Sequence, residues 1–176
     1  MSNWNKVFKP IVVLCVICVV VTGALAATNS VTEPIIEAAT IAAQTAARKE
    51  LLPEADDFTK VEGLSVANVV EAYTANNGVG AVVTSTAKGY GGEMTVMVAF
   101  TPEGTIKQIK VTEQGETQGI GSKVAKDPNF WTRFQGLEAK TLVLGTDVDG
   151  LTGATVSSKA LTAAVNAAID GYNAIN

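Results

Sequence analysis

Hydrophobic positions run unbroken along the first part of this chain and alternate along the second. From Pro10 to Thr32 no residue is charged, and everything from Ile11 to Val21 is apolar. A helix needs about 20 apolar residues to cross a bilayer, so the run predicts a membrane anchor over residues 1–32. Lys6 and Lys9 precede it and Glu33 is the first charge after it. The bias of Lys and Arg toward the cytoplasmic side then puts the N-terminus inside and the body on the extracytoplasmic side of the cell membrane. Trp4 and Phe8 stand where aromatic rings meet headgroups. Ala24-Leu25-Ala26 also resembles a signal-peptide cleavage site, and that reading delivers the body to the same side.

Residues 33–53 predict an alanine-rich stalk helix. Thr32 is placed to cap it, Glu33 and Glu37 suit its first turns, Arg48 and Lys49 suit its last, and Pro53 ends it. Beyond Phe58 the period changes to two. β-branched positions predict strands at Val69–Tyr73, Ala81–Ala87, Met94–Phe100 and Ile106–Thr112, and Thr141–Leu144 reads as one more. Asn76-Asn77-Gly78 and Pro102-Glu103-Gly104 have the composition of hairpin turns. Trp131 and Phe134 are spaced for one helical face. Leu161, Ala164, Val165, Ala168 and Tyr172 form another, so Val156–Ile175 reads as a closing helix. The fold class is α+β: an antiparallel sheet with helices packed on it, occupying residues 54–176.

Composition narrows the chemistry. The 176 residues carry a net charge of -4, which disfavours nucleic acid as a partner. There is no histidine, so Ser-His and Cys-His nucleophile pairs and histidyl flavin attachment are excluded, along with the commonest metal ligand. Both cysteines, Cys15 and Cys18, lie in the apolar segment; the body therefore has no disulfide and no thiolate-bound iron–sulfur cluster. The two share a helix face and read as small packing residues, with a ligand role beside a partner's cysteines as the alternative. No dinucleotide or triphosphate glycine motif is present. Redox chemistry here requires an organic cofactor.

One motif supplies a place for it. Asp149-Gly150-Leu151-Thr152-Gly153-Ala154-Thr155 looks like a site where FMN is joined through its phosphate to a threonine hydroxyl, that of Thr155. Free backbone N–H groups at the start of the closing helix favour a phosphate there. Gly153 lets backbone approach, Ala154 adds no bulk, Thr152, Ser157 and Ser158 line the turn, and Lys159 adds a countercharge. The alternative is that Thr152 and Thr155 only cap a helix. Gly89-Tyr90-Gly91-Gly92 offers close backbone and a ring for stacking, or else is a plain hairpin turn. Glu116-Thr117-Gln118-Gly119-Ile120-Gly121 offers polar groups to a flavin's edge, or else is a surface loop.

In order and spacing these segments resemble the G subunit of the Rnf complex, the membrane-bound ferredoxin:NAD oxidoreductase of bacteria. More loosely they are similar to the C subunit of the sodium-pumping NADH:quinone oxidoreductase. Gln118 and Ile120 replace a proline and a leucine usual in that family's turn. The resemblance implies covalent FMN on Thr155, added by a flavin transferase that uses FAD and recognises Asp149. It further implies electron relay within an ion-translocating complex of integral membrane and iron–sulfur subunits, with no NAD site in this chain. Two other readings stay open: a membrane-tethered flavin shuttle of another extracytoplasmic chain, and an anchored scaffold domain without cofactor.

Overall fold

The computed structural model describes residues 8–115 and 121–175. The chain divides into two compact units, Met1–Ala43 and Gln44–Asn176. Helix α1, Lys9–Leu51, runs through the expected anchor and stalk as one element. It is long and apolar enough to cross a membrane. Thr32 does not cap a second helix; its hydroxyl donates to the Thr28 carbonyl at 2.8 Å, inside α1. Thr28 and Ser30 bond back to Ala24 and Ala27 in the same way, each at 2.9 Å. Hydroxyls bonded to the preceding turn let a helix continue through polar residues, which is why composition suggests a break that the backbone lacks. Pro34 also lies within α1, where it forgoes one backbone hydrogen bond.

The second unit is built on a five-stranded antiparallel meander in the order β1-β2-β3-β4-β5. Its strands are β1 Phe58–Lys60, β2 Val69–Ala75, β3 Ala81–Lys88, β4 Glu93–Phe100 and β5 Ile106–Gln114. Four match the expected strands with slightly longer ends. β1 has too few residues to show alternation, so the pattern does not reveal it. Thr141–Leu144 forms no strand: Leu144 makes a single bridge to Val148, and the segment turns back on itself instead.

Helix α4, Thr155–Ile175, lies across one face of the sheet. Leu161, Ala164, Val165, Ala168 and Tyr172 pack there with Val83, Val96, Val98, Phe100, Ile109 and Val111. Tyr172 stacks on Phe100 with centroids 4.5 Å apart and donates to the Thr101 carbonyl at 3.0 Å. Two short helices, α2 Gly121–Lys126 and α3 Pro128–Trp131, with the 3-10 turn Thr132–Phe134, complete this layer through Val124, Phe130 and Phe134. On the opposite face Val82, Met97 and Ala99 meet Ala47 and Leu51 from the end of α1 and Leu52 just after it. Both faces of the sheet centre are therefore covered, and Ala81–Ser85 is buried without a break.

Ion pairs hold the α1 end to the sheet: Lys107 with Glu54, Lys110 with Glu50, and Arg48 with Glu71 at 3.4 Å. The hydrogen bond from Lys107 holds the Glu54 carboxyl below its ordinary pKa. That pair's contribution is present above the usual carboxylate range and is lost as pH falls through the lowered value.

Candidate functional site

Thr155 is the first residue of α4. The Ser158 N–H donates to the Ala154 carbonyl at 2.8 Å, so Ala154 is the N-cap residue and has no side-chain oxygen to satisfy the helix end. The N–H groups of Thr155, Val156 and Ser157 precede the first intrahelical bond and have no acceptor within the helix. Thr155 is exposed, as are Thr152, Gly153 and Lys159, while Ala154, Ser157 and Ser158 are buried. Gly153 has φ +83°, a conformation that lets the chain turn sharply into the helix and that a side chain would strain. An exposed hydroxyl thus stands among N–H donors without helical acceptors, at the positive end of a 21-residue helix. A phosphate ester on Thr155 fits this arrangement.

The preceding loop is held by Ser158, whose place the motif gives but whose bond it does not, and by Arg133 and Asn166, which no motif identifies. The Leu151 N–H donates to Ser158 Oγ at 3.1 Å, which turns that hydroxyl inward onto the loop. Arg133 donates to the Asp149 carbonyl at 2.7 Å, and its guanidinium lies 5.2 Å from the Phe130 ring centroid. The backbone of Asp149 is fixed in this way while the residue remains exposed. Asn166 closes a two-way amide bond with Leu142, accepting from its N–H at 2.8 Å and donating to its carbonyl at 2.9 Å. Nothing in the spacing of Arg133 and Asn166 marks them, because they act across 16 and 24 positions of sequence. Ser158→Ala takes the acceptor from the half-buried Leu151 N–H, at a cost of about 1 kcal/mol. Chemical denaturation should show that loss, with a smaller fraction of the protein modified at Thr155.

The contacts of α4 fix its direction. Tyr172 meets Phe100, Gly171 lies against Val83, and the Ala164 carbonyl accepts from Ser85 Oγ at 2.7 Å. Going back along α4 therefore follows β3 forward, toward the β3–β4 hairpin. That hairpin is Gly89-Tyr90-Gly91-Gly92, closed by Gly89 N–H to the Gly92 carbonyl at 2.8 Å, with Tyr90 and Gly91 exposed. Gly92 is in such close contact with Gly115 that a Cβ on it would sit 2.9 Å from the Gly115 Cα. The hairpin loop, the end of β5 and the start of α4 thus share one end of the sheet. Glu116, Thr117 and Gly119 lie outside the described residues. Among the described residues no acidic, cysteine or histidine cluster could hold a metal.

Known proteins share both parts of the chain. Residues 89–170 match the FMN-binding domain family, and residues 1–51 match the RnfG N-terminal region. The chain is 34% identical to the G subunit of the Na(+)-translocating ferredoxin:NAD(+) oxidoreductase complex of Acetobacterium woodii, over 97% of this chain and 93% of that protein. It is 30% identical to the G subunit of the proton-translocating complex of Clostridium ljungdahlii, over 96% and 93%. Against the G subunit of the ion-translocating oxidoreductase complex of Methanosarcina acetivorans the identity is 32%, over 99% and 98%. The crystal structure of Shewanella oneidensis NqrC matches with TM-score 0.49 and 24% identity, covering 69% of this chain and 67% of that one. On the three G-subunit relatives, each matched over nearly its whole length, the chain belongs to the family of G subunits of ion-translocating ferredoxin:NAD(+) oxidoreductase (Rnf) complexes.

Proposed function

We propose that this chain is the electron-carrying flavin subunit of an Rnf-type ion-translocating ferredoxin:NAD oxidoreductase, with FMN held covalently by a phosphoester to Thr155. The observation that carries the covalent reading is the exposed Thr155 at the open N-terminus of α4, within the part of the chain that matches the FMN-binding domain. The Thr155 hydroxyl displaces AMP from FAD: an Oγ–P bond forms, the pyrophosphate P–O bond breaks, and the hydroxyl proton is lost. A flavin transferase performs this step, and the exposed Asp149 is the group it recognises.

Once attached, the phosphate is held by the N–H groups of Thr155, Val156 and Ser157, with Lys159 as countercharge. Tyr90 and Gly91 at the hairpin tip and Gly153 at the turn border the ring, and the resemblance of the motif at residues 116–121 to that of the family assigns Glu116, Thr117 and Gly119 to the same role. FMN contributes the ability to pass electrons singly or in pairs, and the chain contributes position and polarity around it. Its partners are the other integral membrane and iron–sulfur subunits, which supply the NAD site. The charge pattern around α1 supports a single-pass topology with the N-terminus in the cytoplasm and the flavin domain outside.

The test is in-gel fluorescence of the denatured chain, made in a host with the flavin transferase and paired with intact mass. A fluorescent band heavier by FMN less one water supports the reading. A dark band of unmodified mass overturns it and leaves Thr155 as a helix-terminal residue only. Asp149→Ala should lower the modified fraction severalfold while the thermal unfolding midpoint stays near that of the parent, since its side chain is exposed. Full modification of that variant would remove Asp149 from the recognition site.

A further inference from the structure

Three side-chain atoms among the described residues are shut off from solvent without a hydrogen-bond partner: Arg48 Nε, Thr84 Oγ1 and Gln114 Oε1. Two of them belong to the α1 side of the sheet. Arg48 is on α1, and Thr84 pairs with Met97, which packs against Leu51 and Leu52. Gln114 is placed differently. It ends β5 opposite Met94, and directly paired residues of neighbouring strands share a face. Met94 belongs to the core that includes α4. Gln114 is therefore on the Thr155 side of the sheet, at the end where Gly92 touches Gly115 and α4 begins.

An amide in this position needs a partner. A buried acceptor left without a donor is costly, and Met94 opposite it offers none. A flavin ring presents along its imide edge one N–H flanked by two carbonyls. A glutamine amide presents one acceptor and one donor in a plane, the complement of half that edge. We propose that Gln114 binds the imide edge of the flavin carried on Thr155, Oε1 accepting from the ring N–H and Nε2 donating to a ring carbonyl. The proposal rests on the FMN reading above. Its consequence is electronic as well as geometric: donation to a ring carbonyl favours the electron-rich, reduced ring, so Gln114 raises the flavin potential.

The test uses the full chain, covalently loaded in a transferase-competent host, with Gln114→Leu and Gln114→Glu as variants. In-gel fluorescence measures attachment, and redox titration with visible absorption measures the ring's surroundings. Gln114→Leu is expected to carry covalent flavin but to titrate at a more negative potential. At the parent's midpoint its reduced-to-oxidised ratio should fall about tenfold, the size of one good hydrogen bond, with a shifted visible spectrum. Gln114→Glu keeps the side-chain length, loses the donor and adds a negative charge, so its potential should be lower still. Loaded variants with the parent's potential and spectrum overturn the role of Gln114 while leaving the FMN reading intact. If the leucine variant does not fold, an unshifted glutamate variant overturns it equally. A parent chain without covalent flavin fails the FMN reading itself, and Gln114's role with it.

Discussion

Thr155→Ala is expected to abolish covalent flavin altogether and to leave the fold undisturbed. The phosphoester needs the Oγ that alanine lacks, so the denatured band should go dark and the intact mass should return to that of the unmodified chain. The fold has little reason to respond. Thr155 is exposed, it occupies the first helical position, and among the described residues its hydroxyl enters no hydrogen bond. Exposed substitutions away from such bonds usually change stability by less than about 0.5 kcal/mol. Thr155→Ser retains an oxygen at the same place and should recover part of the modification. Thr152→Ala is the control, because Thr152 is also an exposed hydroxyl residue in the same turn and should leave attachment largely in place. Flavin on the Thr155→Ala chain, located by peptide mass, would move the attachment point elsewhere.

The sheet and its last helix are legible in the sequence because their residues repeat what their surroundings demand. Val83, Val96, Val98 and Ile109 recur at strand spacing, and Leu161, Val165 and Ala168 recur at helical spacing. The candidate attachment motif is legible for a related reason: the turn, the helix start and the acceptor hydroxyl are all local, so one short stretch contains them. What escapes such reading is long-range. Composition places Ser158 on the phosphate turn, yet its hydroxyl receives the Leu151 N–H. Arg133 and Asn166 hold the site loop from other elements, and neither belongs to a motif. The helix break expected at Thr32 is absent because a hydroxyl residue suits a cap and a back-bonded helix equally well by composition. The strand expected at Thr141–Leu144 fails for a similar cause: Val143 N–H is taken by Asp147 Oδ2 at 2.7 Å, a side chain competing for a donor that a sheet would need.

Arg48→Met is expected to cost stability without touching the flavin. Arg48 is 5% exposed. Its guanidinium lies 3.9 Å from the Tyr73 ring centroid and donates to Glu71 Oε1 at 3.4 Å and to Thr45 Oγ1 at 3.0 Å. Removing one partner of a buried pair leaves the other charge in a medium that solvates it poorly, at a cost of about 3–5 kcal/mol. Here Glu71 keeps the Tyr73 hydroxyl at 3.2 Å and Lys60 at 3.7 Å. Lys60 is half exposed and screened, so the expected loss is about 2–4 kcal/mol, a fall of roughly 10 °C in the unfolding midpoint. The double variant Arg48→Met/Glu71→Leu should recover most of that loss, because the uncompensated carboxylate is gone. A double variant as unstable as the single one would show that guanidinium packing on Tyr73, not charge, holds this end of α1. In either variant the protein that remains folded should be modified normally at Thr155, since Arg48 and Glu71 lie on the α1 side of the sheet and α4 covers the other. Thermal melts and in-gel fluorescence on the same preparations therefore separate the two halves of the design: one sheet face that fixes the end of the long N-terminal helix, and one that carries the candidate attachment threonine.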